Sequence, residues 1–282
     1  MRGGERPRAG RFTIGQGEAE VLRDADRDGG WVILVDGVPQ SYLDVDDPTY
    51  LDFEYMRLLG DVVDHLGVGD EALDVAHVGG AGCTLARYVA ATRPGSRQVV
   101  FELDGALVQL VRENFPLRQV RGLKVRVGDG RAGIAGLPAA SDDLVVLDAF
   151  AGATVPFPLV TAEFTRDVAR VLRDDGVYLV NLADAGRLAF ARRFAATVRS
   201  VFPHALLMGE PGVLRGRRYG NLIVAASREP LPVASLTRIS AGKPIPARCL
   251  DTDEVDRFAS GHPPLHDGDA FTPPTPPDSV FT

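Results

Sequence analysis

Residues 72–104 read ALDVAHVGGAGCTLARYVAATRPGSRQVVFELD. An apolar run, ALDVAHV, meets a glycine cluster at Gly79, Gly80 and Gly82; a helical stretch follows, and a second apolar run ends in Glu102 and Asp104. This is a strand, a turn, a helix and a strand. Glycines at such a turn let the backbone approach a ligand closely and leave the helix N-terminal amides pointing at it. Glu102 follows Gly79 by 23 residues, near the spacing of roughly 20 at which a carboxylate meets a ribose diol in a nucleotide-binding βαβ unit. The other reading is a turn that uses glycine for packing alone.

The alternation continues on the C-terminal side. LKVRV, DLVVLDA and GVYLVNL are further short apolar runs, as expected of parallel strands covered on both faces. Helical spacing separates them, for example Val160, Phe164, Val168, Val171 and Leu172. HALLMG and NLIVAAS then lie too close together for an easy helix, so a final antiparallel hairpin should close an otherwise parallel sheet. These seven strands predict a doubly wound α/β domain with right-handed crossovers, whose ligand sits at the carboxyl ends of the strands. Towards the N-terminus, residues 10–43 alternate β-branched and aromatic residues with Gly and Asp-Gly turns, which predicts a small antiparallel sheet. Leu51, Tyr55, Leu58, Leu59, Val62 and Leu66 form a helical stripe, with Asp47 and Pro48 read as its start. Ten of the 20 prolines fall between Pro230 and Pro277, which predicts an irregular tail. The expected organisation is a β-strand domain at 1–46, the α/β domain at 47–228 and the tail at 229–282.

Composition bounds the partners. Of 282 residues, 45% are hydrophobic, enough for a sizeable core, and the net charge of −7 argues against a general nucleic-acid binder. Two cysteines cannot make a disulfide framework. No apolar run approaches the roughly 20 residues of a membrane span, and MRGGERPRAGRF carries no apolar region behind its charges. The expectation is a soluble cytoplasmic protein with no membrane or nucleic-acid partner. The five histidines are scattered without metal-ligand spacing, so no metal is expected.

Two more strand ends carry acids. The third strand runs into Gly128-Asp129-Gly130, where Asp129 can accept a hydrogen bond from an exocyclic amino group such as adenine's, or where the triplet is a plain turn. The fourth ends in Asp148-Ala149-Phe150; burial there would raise the carboxyl pKa towards that of a general base, the alternative being a helix cap. With no GxxxxGK[ST] run to cradle a triphosphate, the four strand ends together describe a pocket for an adenosine thioether or sulfonium.

The strings LVDGVPQ (34–40), DDPTYLDFEYM (46–56), VGGAGCTLARY (78–88), FELD (101–104), GDGR (128–131) and LDAF (147–150) stand in an order and spacing that resemble the polyamine aminopropyltransferases, the spermidine synthase family. The resemblance covers about Phe12 to Ser227. It implies a methyltransferase-like, Rossmann-type α/β fold behind an N-terminal antiparallel β-domain, dimers or tetramers built through that domain, and a small-molecule amine as acceptor. It also implies roles: Gln40 near the sulfonium, Glu102 on the ribose hydroxyls beside Gly79, Gly80, Gly82 and Asp104, Asp129 with Gly130 at adenine, Asp148 as proton acceptor and Tyr55 orienting the amine. Three acids of the family pattern are replaced, by Arg57, Ala81 and Ala151. Two donors therefore stay open: decarboxylated S-adenosylmethionine for aminopropyl transfer, or intact S-adenosylmethionine for methyl transfer, with Arg57 pairing its carboxylate. A non-catalytic relative is the third reading.

Overall fold

The apolar runs form strands because their residues alternate between two covered faces. In Asp142–Leu147, Leu144 and Val146 enter one core while Val145 and Leu147 enter another, all buried. The computed structural model describes residues 7–151 and 154–275. Its first sheet is an antiparallel meander of β1 (Gly10–Ile14), β2 (Gly17–Arg23), β3 (Gly30–Val35) and β4 (Val38–Asp44). Helix α1 (Glu54–Asp64) leads into β5 (Asp74–Val78), α2 (Thr84–Thr92), β6 (Arg97–Glu102), α3 (Gly105–Asn114), β7 (Leu123–Val127), α4 (Gly130–Ala135) and β8 (Asp142–Leu147). Next come α5 (Ala162–Val171), β9 (Leu172–Asp184), α6 (Ala189–Arg199), β10 (His204–Gly209), the one-turn α7 (Pro211–Leu214) and β11 (Gly220–Ser227). The chain continues through α8 (Val233–Ala241), β12 (Arg248–Leu250) and α9 (Thr252–Ala259).

The second sheet has the order β12-β10-β11-β9-β8-β5-β6-β7. Strands β7, β6, β5, β8 and β9 are mutually parallel, while β11 runs antiparallel between β9 and β10 and forms with β10 the expected hairpin. The chain builds outward from β5 to β7, then recrosses to β8 on the other side. The switch point therefore lies between β5 and β8, where the strand ends diverge and a ligand crevice opens. Residues of α5, α6 and α9 cover one face; α1, α2 and α8 cover the other; α3 packs with the first sheet. No helix of the described residues is long and apolar enough to cross a membrane.

Two expectations are corrected. Helix α1 starts at Glu54, with Phe53 as its N-cap, and not at Asp47–Pro48. The Asp47 carboxylate instead accepts from the Thr49 amide (3.0 Å) and hydroxyl (2.6 Å) and pairs with Arg27, so it holds a turn. The tail is also not irregular within the described residues. Its prolines sit at element boundaries, Pro232 as N-cap of α8 and Pro244 and Pro246 ahead of β12, where a missing amide costs little. Strand β12 extends the sheet to eight, α9 opens on a capping box of Asp251 and Glu254, and Leu236, Val255 and Leu265 are fully buried. Residues 276–282 lie outside the described range.

Candidate active site

The glycine turn follows directly from the switch point. Gly79 has φ +80°, and a Cβ there would lie 2.5 Å from the Asp148 carbonyl oxygen and 2.7 Å from Ala149 Cα. Only glycine lets the end of β5 pass the end of β8 this closely. Gly79, Gly80 and Gly130 line a cavity of about 440 Å3 at the carboxyl ends of the strands, within the range of small-molecule sites. Gly82 is not among its lining residues. Its amide donates to Ser41 Oγ (2.9 Å) and a Cβ would meet Leu43 at 2.7 Å, so this glycine lets the start of α2 pack closely on β4. Neighbouring Cys83 is buried, which pushes its thiol up to about 12 and leaves it unreactive.

Glu102 stands opposite the turn. One carboxylate oxygen accepts from the Gly80 (3.2 Å) and Ala81 (3.1 Å) amides and the other from the Asp104 amide (3.1 Å). Three bonds use three of about four acceptor positions, which aims the group and leaves capacity for a hydroxyl. Asp104 also lines the cavity, but its carboxylate is engaged by backbone amides. It is 7% exposed, and its two oxygens accept from four backbone amides: Ala106, Leu107, Gly15 and Gln16. It caps α3 and ties the β1–β2 turn to that helix. These amides hold its carboxyl below the usual range against the upward push of burial. Asp129, exposed, caps α4 through one oxygen (Ala132 amide, 2.8 Å) and lines the cavity.

Asp148, at the end of β8, is partly buried and lines the same cavity. Burial raises its carboxyl to about 6, while a hydrogen bond from Asn181 Nδ2 (2.8 Å) opposes the rise. An ionised carboxylate accepts only, so it turns the Asn181 amide group towards itself. The Asn181 carbonyl oxygen then accepts from Asn221 Nδ2 at 2.9 Å. The relay Asn221–Asn181–Asp148 crosses from β11 through β9 to the end of β8. Sequence reasoning missed both asparagines; the signal was an amide inside an apolar strand, VYLVNLAD, where a buried polar group requires a partner. Tyr55 of α1 faces the same cavity, and burial with the nearby Asp148 charge pushes its phenol well above the ordinary value, so it stays protonated. Gln40 of β4 also lines the cavity.

Five carboxylates line the cavity, Asp36, Glu102, Asp104, Asp129 and Asp148, against one cation among its described lining residues, Arg218. Such a field favours a cationic ligand. Of the three arginines 215, 217 and 218, Arg218 alone reaches the cavity, and it pairs with Glu210. Arg57 is not among its lining residues, and its Nε donates to the Leu51 carbonyl (2.6 Å). His77 is buried against Gln98 (2.9 Å) and depressed to about 4, a neutral core residue.

No family model matches the chain. A polyamine aminopropyltransferase of Vibrio vulnificus (strain CMCP6) is 31% identical over 127 residues, 44% of this chain and 42% of that protein. One of Chromobacterium violaceum is 25% identical over 50% of this chain and 53% of that protein. The chain thus spans about half the length of these curated relatives. Among solved structures, that of a probable spermidine synthase from Corynebacterium glutamicum is 34% identical, with a TM-score of 0.85 over 95% of this chain and all of the other.

Proposed function

The chain belongs to the spermidine synthase family, and from that premise we propose that it transfers an aminopropyl group from decarboxylated S-adenosylmethionine to an amine acceptor. The observation that carries this reading is the meeting of Glu102, Asp129 and Asp148 in one acidic cavity, with Tyr55 beside Asp148. In the proposal Glu102, aimed by its amide bonds, accepts the ribose hydroxyls, and Asp129 accepts from the adenine amino group. Gln40 lies near the sulfonium. The decarboxylated donor carries a sulfonium and an ammonium and no carboxylate, which suits a cavity with five acids and one arginine.

The reaction is a single displacement. The amine nitrogen lone pair attacks the methylene carbon next to sulfur; the carbon–sulfur bond breaks, and its electron pair stays on sulfur to give neutral methylthioadenosine. The nitrogen gives up a proton, for which Asp148 at about 6 is the acceptor: ionised at pH 7, yet more basic than an ordinary carboxylate. The Tyr55 phenol oxygen accepts an amine N–H and aims the lone pair. The chain's contribution is mainly the in-line placement of the two reactants. Methyl transfer from intact S-adenosylmethionine, suggested by the acids replaced at Ala81 and Ala151, would need a cation for the donor carboxylate, and Arg57 is not among the residues lining this cavity. The non-catalytic reading is disfavoured by Asp148 itself, because a scaffold gains nothing from burying an ionisable carboxyl. The test is incubation with each donor and an amine. Methylthioadenosine released from the decarboxylated donor is the expected product; S-adenosylhomocysteine would overturn the proposal.

A further inference from the structure

A second cavity, of about 410 Å3, adjoins the first and shares Tyr55, Arg218, Gly220 and Asn221 with it. Its other walls come from α1, from Glu210 and Val213 at α7, and from residues 243–247, between α8 and β12. Five charged side chains line it: Glu54, Arg57, Glu210, Arg218 and Lys243. Most of that charge is already matched. Arg218 pairs with Glu210, and Lys243 Nζ stands 2.6 Å from Asp61 Oδ2. Glu54 and Arg57 remain.

Glu54 has no ion pair among the described residues. Arg57 has Asp52 at 3.9 Å as its carboxylate neighbour, with both side chains 38% exposed, a contact worth little in water. The two residues are three apart in the first turn of α1, so they share a helix face. They leave one anion and one cation in a pocket beside the reaction centre. A diamine would offer its far ammonium to Glu54 and no anion to Arg57. An α-ammonium and an α-carboxylate on one carbon match Glu54 and Arg57 instead.

Resting on the aminopropyl transfer proposed above, we infer that the acceptor is a basic amino acid, its side-chain amine at Asp148 and its zwitterionic head between Glu54 and Arg57. The bond changes are unchanged: the new C–N bond forms on the side-chain nitrogen, the C–S bond breaks, and the proton goes to Asp148. The experiment measures methylthioadenosine release from decarboxylated S-adenosylmethionine with L-ornithine, L-lysine, 1,4-diaminobutane and 1,5-diaminopentane. The wild type is expected to prefer the amino acids at least tenfold in kcat/KM, and Arg57→Glu to reverse the order while keeping its thermal midpoint. Diamines ahead in the wild type, or an order unchanged in the variant, overturns the inference and leaves aminopropyl transfer intact. Calorimetry with L-lysine in the presence of methylthioadenosine gives a readout without turnover. Lysine binding that weakens at least tenfold in Arg57→Glu supports the site even if no acceptor reacts, an outcome that counts against the transfer alone. Absence of lysine binding in the wild type overturns the inference.

Discussion

Replacing Asn181 with leucine removes the one hydrogen bond that, among the described residues, stabilises ionised Asp148, the 2.8 Å contact from Nδ2. A hydrogen bond to a charged group contributes about 1.5–3 kcal/mol, and about 1.4 kcal/mol corresponds to a tenfold change in ionisation. Leucine fills the space but donates nothing, and it orphans the Asn221 amide as well. The Asp148 carboxyl should therefore climb from about 6 into the range of about 7 to 8. The assay is kcat/KM for methylthioadenosine release between pH 5 and 9. The acceptor amine's own ionisation enters wild type and variant equally and cancels in their ratio. With a base that must be deprotonated, the wild type should lead by about ten- to a hundredfold at pH 5 and by little at pH 9. Carbon NMR of labelled aspartate follows the same titration without turnover. A rate ratio independent of pH, or an Asp148 midpoint that stays near 6 in the variant, would refute the relay.

Other perturbations test the frame around the site. Asp148 is held at about 6 against an ordinary 3.8, so the folded state binds the proton more tightly and the wild type loses stability as pH rises through that window. The loss is on the order of 3 kcal/mol. Asp148→Asn should escape it, becoming more stable relative to wild type at pH 8 than at pH 4 in urea titrations while losing activity; a stability difference that does not change with pH contradicts this. Asp104→Ala removes a helix cap worth about 1 kcal/mol and frees the Gly15 and Gln16 amides, so faster hydrogen exchange should appear there. Unchanged protection at both amides would mean that the carboxylate is not the anchor. Arg93, 1% exposed, donates to the carbonyls of Val63 (2.5 Å), in the last turn of α1, and Leu66 (2.9 Å), just past it. Arg93→Met should cost about 2–4 kcal/mol in denaturant unfolding, and a loss under about 1 kcal/mol would show those carbonyls to be satisfied otherwise.

What the sequence disclosed depended on how local each signal was. The alternation of apolar runs and helical stripes gave the parallel strands and the closing hairpin, because strand period and loop length are written within a few residues. The acids at the ends of β6, β7 and β8 were legible for the same reason, since any residue following a parallel strand reaches the common crevice. The anchoring role of Asp104 was not legible because its partners Gly15 and Gln16 lie 89 and 88 residues away; nothing near it signals a cap that also anchors a distant turn. The asparagine relay was hidden similarly, as Asn181 and Asn221 are 40 residues apart and meet only through the antiparallel register of β9 and β11. Proline density misled about the tail, although Asp251 and Glu254 spelled a capping box. Within the described residues those prolines interrupt no element: Pro232 precedes α8, Pro244 and Pro246 lie between α8 and β12, and Pro263 and Pro264 follow α9, while apolar residues such as Leu236, Val255 and Leu265 are buried.

The central claim is the identity of the transferred group. Purified protein given equal amounts of decarboxylated and intact S-adenosylmethionine with the acceptor panel can be followed by chromatography of its adenosine products. The account predicts methylthioadenosine, formed from the decarboxylated donor in step with an aminopropylated amine and lost in Asp148→Asn. S-adenosylhomocysteine as the product, with the decarboxylated donor untouched, would contradict it.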